Sequence, residues 1–194
     1  MKQRYPKHEF RPMADADILI REEQYEQIRP LMRQLGFYEG VESNHEYIWD
    51  SVSLHVELHK RLVPSYNKDY YAYFGDGWRL ATGHKGTRFF MTPEDEFIYL
   101  FVHLAKHYRD GGVGCRQMVD LWVQRRSFPG LDEDYLRREL RKLHLLEFYD
   151  NVHKTLLGKC RDVACHNLGC LVILAHLVGY ARIGICAYVA GSYM

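Results

Sequence analysis

The chain has almost no net charge: 26 lysines and arginines stand against 25 aspartates and glutamates, a formal balance of +1 over 194 residues. Without a broad field of one sign it offers no general surface to nucleic acid or an anionic membrane, so any nucleotide must be held locally. Cysteines are few and odd in number, five, and no basic-apolar-small leader pattern precedes residue 20. That argues against a disulfide framework and for a reducing, cytoplasmic setting. Cys160, Cys165 and Cys170 recur every five residues with His166 among them, a spacing that scatters sulfurs around a helix instead of gathering them on zinc. Phosphate loops are missing too. Gly75-Asp76-Gly77 and Gly83-His84-Lys85-Gly86 lack the Gly-x-x-x-x-Gly-Lys-Ser/Thr spacing and read as turns.

What is present is a hydrophobic share of 47%, enough for a core in one domain or two small ones. Ala14-Asp15-Ala16-Asp17-Ile18-Leu19-Ile20 reads as a strand that projects Asp15 and Asp17 from one side and packs Ala16 and Ile18 on the other. Two carboxylates on one face repel unless a cation lies between them, and a divalent metal is the usual solution. Taken alone, the pair reads more readily as a solvated strand entrance. Ser53-Leu54-His55-Val56-Glu57-Leu58-His59 alternates over seven positions. This places Leu54, Val56 and Leu58 on a buried face, and Ser53, His55, Glu57 and His59 on the other. A third carboxylate is thereby brought opposite the first two on a neighbouring strand.

Between these strands, Glu22 to Leu35 carries Tyr25, Ile28, Met32 and Leu35 at helical spacing, with Gly36 at the C-terminal cap. Pro30 predicts a kink, or two short helices with the proline opening the second. Tyr47-Ile48-Trp49 and the His55 strand form an antiparallel hairpin about Asp50-Ser51, giving a small mixed sheet. Tyr70, Tyr71, Tyr73 and Phe74 are read as a further strand on β propensity. From Thr92, an N-cap followed by Pro93 and three acidic residues, the pattern is helical. Phe97, Leu100, Phe101, Leu104 and Tyr108 stripe the first helix, and Met118, Val119 and Trp122 face inward on the next. Asp132 caps a third, with Tyr135, Leu136, Leu140 and Leu143 in period, and a fourth runs to Gly158. The expected class is α+β, with residues 1–90 an α/β core, 91–158 a helical subdomain and 159–194 an atypical apolar tail. That tail is nearly uncharged, but its glycines and Arg182 make a poor membrane span.

On the helices, His103 and His107 lie four apart with Lys106 between them, an edge that can present donors to a triphosphate. Histidines bordering an apolar stripe more often pack, and Lys106 more often is solvated. Asp120 either orients one of these groups or pairs with Arg116.

The ordered set Arg11-Pro12-Met13-Ala14-Asp15-Ala16-Asp17-Ile18-Leu19-Ile20, Leu35-Gly36-Phe37, His55-Val56-Glu57-Leu58-His59, His103-Leu104-Ala105-Lys106-His107-Tyr108 and Met118-Val119-Asp120-Leu121-Trp122 resembles the bacterial family of uncharacterised nucleotidyltransferases. These belong to the polymerase-β-type superfamily, and the resemblance fades after about Gly158. It implies that Asp15 and Asp17 are metal ligands, with Glu57 as third ligand or as base toward the acceptor. It implies Mg²⁺ as cofactor, a nucleoside triphosphate as donor, and a hydroxyl acceptor, small molecule or protein, that the sequence does not identify. Two oxygen-ligated Mg²⁺ ions suit nucleotidyl transfer independently of the resemblance. In the family a Gly-Ser or Lys-Gly turn upstream of the paired aspartates holds the phosphates; this chain starts at Met1, beyond it. This suggests a truncated or degenerate member, for which weak or absent catalysis is a real possibility. Two alternatives stand beside this reading. One is a zinc hydrolase built on His55, Glu57 and His59. The other is a non-catalytic scaffold that binds a protein through the tyrosine-rich segment 66–74.

Overall fold

In the computed structural model, which describes residues 4–11, 15–86 and 88–158, the two alternating stretches become neighbouring strands. Strands β1 (Asp15–Leu19), β2 (Tyr38–Glu39), β3 (Glu46–Asp50) and β4 (His55–His59) form one sheet in the order β1-β4-β3-β2. β1 runs parallel to β4, whereas β3 is antiparallel to both of its neighbours, so the sheet is mixed as expected. A parallel pair needs a crossover, and helix α1 (Tyr25–Gln34) supplies it after a 3-10 turn at Glu22–Gln24.

α1 forms because its apolar residues fall on one side. Tyr25 and Met32 are buried and Ile28 partly so, packed with Ile20, Trp49, Val56 and Leu58 on one face of the sheet. The helix continues through Pro30 and does not restart there. It ends where the glycine was expected: Gly36, at φ +84°, donates to the Arg33 carbonyl while Phe37 N–H reaches Met32, the pattern of a left-handed cap. Tyr25 Oη and the guanidinium groups of Arg29 and Arg33 all meet the Glu39 carboxylate, fastening α1 to β2.

Several side chains depart from the strict alternation. Ile18 is exposed, because β1 is an edge strand and the apolar core reaches Ala16 but not Ile18. Ser53 and Leu54 belong to the hairpin connection, where Leu54 N–H is held by Ser51 Oγ and Leu54 is exposed. The hairpin loop therefore spans four residues rather than a turn at Asp50-Ser51.

The tyrosine-rich stretch is a helix, α2 (Lys68–Phe74), not a strand. Tyr70 and Phe74 are buried, four residues apart on one helical face, and that spacing outweighs the β propensity of the aromatic rings. Gly75 and Gly77 follow it at positive φ in a turn, and β5 (Gly83–Lys85) pairs with β6 (Arg88–Phe90) in a small hairpin about Gly86.

The chain divides into two compact units, Lys2–Glu96 and the part from Phe97 onward. The second is helical: α3 (Pro93–Asp110) enters it, followed by α4 (Cys115–Ser127), α5 (Glu133–Lys142) and α6 (Leu146–Gly158). Thr92 Oγ1 accepts Asp95 N–H at 3.1 Å and Asp132 Oδ1 accepts Tyr135 N–H at 2.9 Å, so both expected caps form. Phe97, Phe101, Leu104, Leu121, Leu136, Leu140 and Tyr149 are buried in this unit. Arg125 and Tyr149 both bond Glu133 within it. Tyr108 is exposed, and Ile98, Val102 and Ala105 take its place along α3. On α4 the most buried residues are Met118, Asp120, Leu121, Val123 and Gln124 rather than Val119 and Trp122. Residues 159–194, with the apolar tail and the Cys160-Cys165-Cys170 series, lie outside the described residues, as do Pro12, Met13 and Ala14. Among the described residues no helix is long and apolar enough to cross a membrane.

Candidate functional site

The register between β1 and β4 decides what the opposite face of the sheet carries. Asp15 pairs with His55, Asp17 with Glu57 and Leu19 with His59. Residues paired in this way project to the same side, so both aspartates share a face with Glu57 and the two histidines. The β3–β4 hairpin extends that face, because Glu46 pairs with His59 and Asp50 with His55. The face away from α1 thus gathers five carboxylates, Asp15, Asp17, Glu46, Asp50 and Glu57, around two imidazoles. The loop before β3 adds a third, His45.

His59 lies at the centre. Its Nε2 is 3.2 Å from Glu57 Oε2 and 3.7 Å from Asp17 Oδ1, while its Nδ1 is 3.8 Å from Glu46 Oε2. Both ring nitrogens are buried, and among the described residues neither has a hydrogen-bond partner of good geometry. Among the described residues two groups place three ligand atoms within 4.8 Å of one another: Asp17, Glu57 and His59, and His45, Glu46 and His59. Asp15 belongs to neither. It lies two residues along the same strand face and reaches Glu57 through its charge.

The electrostatics follow from this crowding. Burial pushes the Glu57 carboxyl above its ordinary range, and the negative charges of Glu46 and Asp17 push it further. Burial by itself would pull His59 down, but Asp17, Glu46 and Glu57 outweigh it and hold the imidazole above its usual value. His55 is also raised, first by its contact with Asp50, where Nδ1 and Oδ1 are 2.5 Å apart, and then by Glu57 at 3.4 Å. His55 and His59 each meet Glu57, at 3.4 Å on Oε1 and 3.2 Å on Oε2, but the trio His55, Glu57 and His59 is not one of the two ligand groups.

His103, Lys106 and His107 all lie on α3. The two imidazoles meet edge to face, with their Nε2 atoms 3.2 Å apart. Burial lowers the His107 pKa, and the neighbouring Lys106 charge adds to the effect. The i,i+4 spacing therefore produces a half-buried histidine pair, within the helix that the Phe97–Leu104 stripe anchors. Asp120 is buried on α4.

Glu46, Asp50 and His45 were not singled out from the sequence, although a signal was present. Glu46-Tyr47-Ile48-Trp49-Asp50 alternates like β4, and extending the three apolar residues by one at each end puts both carboxylates on the acidic face.

A family model described as uncharacterised nucleotidyltransferase matches residues 1–157. No curated protein and no solved structure matches the chain.

Proposed function

The chain belongs to the uncharacterised nucleotidyltransferase family, and from that premise we propose that it transfers a nucleoside monophosphate from a nucleoside triphosphate to a hydroxyl acceptor. The cofactor in this reading is Mg²⁺, held by Asp15, Asp17 and Glu57. The observation that supports it is the convergence of Asp17 and Glu57 oxygens within ligand range of each other, on two strands whose register leaves them no other face. The donor set fits a divalent cation. Carboxylate oxygens are what Mg²⁺ takes while keeping waters and substrate phosphates in its shell, and the like charges gathered there repel without one.

When bound, such a cation neutralises triphosphate charge and lines the acceptor oxygen up with the α-phosphorus. The protein residues divide the remaining work. Asp15 and Asp17 sit on β1, whose backbone is fixed by β4, so their separation is set before substrate arrives. Glu57 is partly buried, and its raised pKa suits it to accept the proton of the attacking hydroxyl. In the transfer the acceptor oxygen bonds to the α-phosphorus, the bond to the β-phosphate bridge breaks, pyrophosphate leaves, and the hydroxyl proton goes to Glu57. His59 backs that carboxylate from 3.2 Å.

The test is transfer of label from α-³²P nucleoside triphosphates, with each of the four bases, into a cell extract that supplies acceptors. The wild-type chain with Mg²⁺ is expected to yield labelled product, and Asp17→Asn and Glu57→Gln to lose it while keeping the wild-type circular dichroism spectrum. Transfer that persists in both variants would refute the assignment.

A further inference from the structure

His45 and Glu46, two of the three donors in the second group, take no part in the reaction above. We propose that His45, Glu46 and His59 bind one transition-metal cation of the Zn²⁺ class, at a site separate from the Asp17–Glu57 pair and joined to it through the two nitrogens of His59.

The geometry is that of a ligand set. His45 Nε2 is 3.0 Å from Glu46 Oε2, which is 3.8 Å from His59 Nδ1, and one donor atom from each residue lies within 4.8 Å of the others. Zinc bonds of 2.0–2.1 Å in a tetrahedron place neighbouring donors about 3.3 Å apart, and the observed separations bracket that value. Two imidazoles and a carboxylate select a first-row transition metal over Mg²⁺, which takes oxygen alone. All three side chains are largely buried, with 14–17% of their surface exposed.

The atoms facing away from the cluster are already held. Ser43 Oγ lies 3.3 Å from His45 Nδ1 and donates to Glu46 Oε1 at 3.1 Å. With the hydroxyl proton given to Glu46, a metal on His45 Nε2 would leave the ring proton on Nδ1, facing Ser43 Oγ as its acceptor. One serine thus holds the outer atoms of both ligands, as outer residues do around bound metals. The His45 carbonyl accepts Lys60 N–H at 2.8 Å and Ser43 N–H bonds the Glu46 carbonyl at 3.0 Å, so the backbone of the donor loop is pinned to both strands. The Nδ1 of His59 is buried and has no hydrogen-bond partner among the described residues. An unmade bond of that kind costs about 1–3 kcal/mol, and a metal on Nδ1 removes the cost.

The consequence reaches the first group. A metal on Nδ1 fixes the proton of His59 on Nε2, facing Glu57 Oε2 at 3.2 Å and Asp17 Oδ1 at 3.7 Å. The site therefore sets the orientation of the imidazole that backs Glu57, a positioning role that does not depend on the chain being a transferase.

The test is Co²⁺ titration of the chelator-treated full chain, read by the visible absorption of four-coordinate cobalt. One Co²⁺ per chain is expected, displaced by Zn²⁺. His45→Ala and Glu46→Gln should lose it, whereas Asp17→Asn should retain it. Ser43→Ala keeps every donor and removes only their orientation, and should weaken Co²⁺ by at least about tenfold; it decides the matter if His45→Ala does not fold. Three results would overturn the proposal: no stoichiometric Co²⁺ in the wild-type chain, loss in Asp17→Asn with retention in His45→Ala, or unchanged affinity in Ser43→Ala. Failure here leaves the Asp17–Glu57 reading standing, because Mg²⁺-dependent transfer is measured separately and in other variants.

Discussion

Replacing Glu57 with glutamine is expected to make the metal-free protein more stable while abolishing transfer. Glutamine keeps the shape of the side chain and removes its charge. In the absence of a cation, Glu57 and Asp17 carry like charges on oxygens no more than 4.8 Å apart. Two unit charges at that distance repel by about 3 kcal/mol at an effective dielectric constant of 20. More than half of the Asp17 side chain is exposed, so solvent screening reduces this to about 1 kcal/mol, and the attraction of His59 to Glu57 offsets a further part. For a chain of this size 1 kcal/mol corresponds to roughly 2–4 °C in melting temperature. The gain must depend on pH. The folded pKa of Glu57 is raised, so the penalty is absent below the ordinary carboxylate range, where the group is protonated in both states. It is fully present once pH exceeds the folded value. Scanning fluorimetry in EDTA should therefore show Glu57→Gln melting up to about 2–4 °C above wild type near pH 8, with the gap closing toward pH 4. Added Mg²⁺ should reverse the order. If Glu57→Gln instead lowers the EDTA melting temperature at pH 8, Glu57 is a structural partner and the argument from crowded charge is wrong.

The two units should respond to pH in opposite directions. Burial holds His107 and His153 below the usual imidazole value, so the unfolded chain takes up their protons first, and the stability they contribute above about pH 6.5 is lost as pH falls through their folded values. His55 and His59 are raised, so their contribution is complete below about pH 6.5 and is lost as pH rises through their folded values. Hydrogen exchange at about pH 5.5 and 8, corrected for intrinsic rates, should show α6 amides losing protection in acid and β4 amides losing it in base; parallel behaviour would contradict this. Trp49 has no exposed surface in the sheet core, so Trp49→Ala should cost about 3–5 kcal/mol, read as a lower urea midpoint at unchanged circular dichroism.

What the sequence disclosed of this molecule is what period alone determines. The alternation of β4 fixed which of its residues share a face, and the Asp15–Asp17 spacing did the same for β1. Parallel pairing then required only the intervening helix, which the Tyr25, Ile28 and Met32 spacing with Gly36 marked. Period says nothing about where a sheet ends. Ile18 alternates correctly yet lies on an edge strand that the core does not cover, and Leu54 fell in a connection rather than on the strand. The site was legible in its carboxylates but not in its completeness. Glu46 and Asp50 join the acidic face only through antiparallel register with His59 and His55, a relation between segments that no single segment displays. His45 precedes its strand and meets Glu46 directly, with Ser43 on its other ring nitrogen, a loop contact without any periodic signature. The tyrosine-rich segment misled because aromatic residues favour strands on average, while two of these rings, four apart, had a helical face to bury.

The account rests on Asp17 and Glu57 sharing a divalent cation with a nucleoside triphosphate. Its most direct test is equilibrium binding of non-hydrolysable α,β-imido nucleoside triphosphates, with and without Mg²⁺, to the wild-type chain and to Asp17→Asn, Glu57→Gln and His45→Ala. The prediction is that Mg²⁺ strengthens binding at least about tenfold, or 1.4 kcal/mol, in the wild-type and His45→Ala chains and has no effect in the other two. Binding that is absent in all four proteins, or equally dependent on Mg²⁺ in all four, would contradict it.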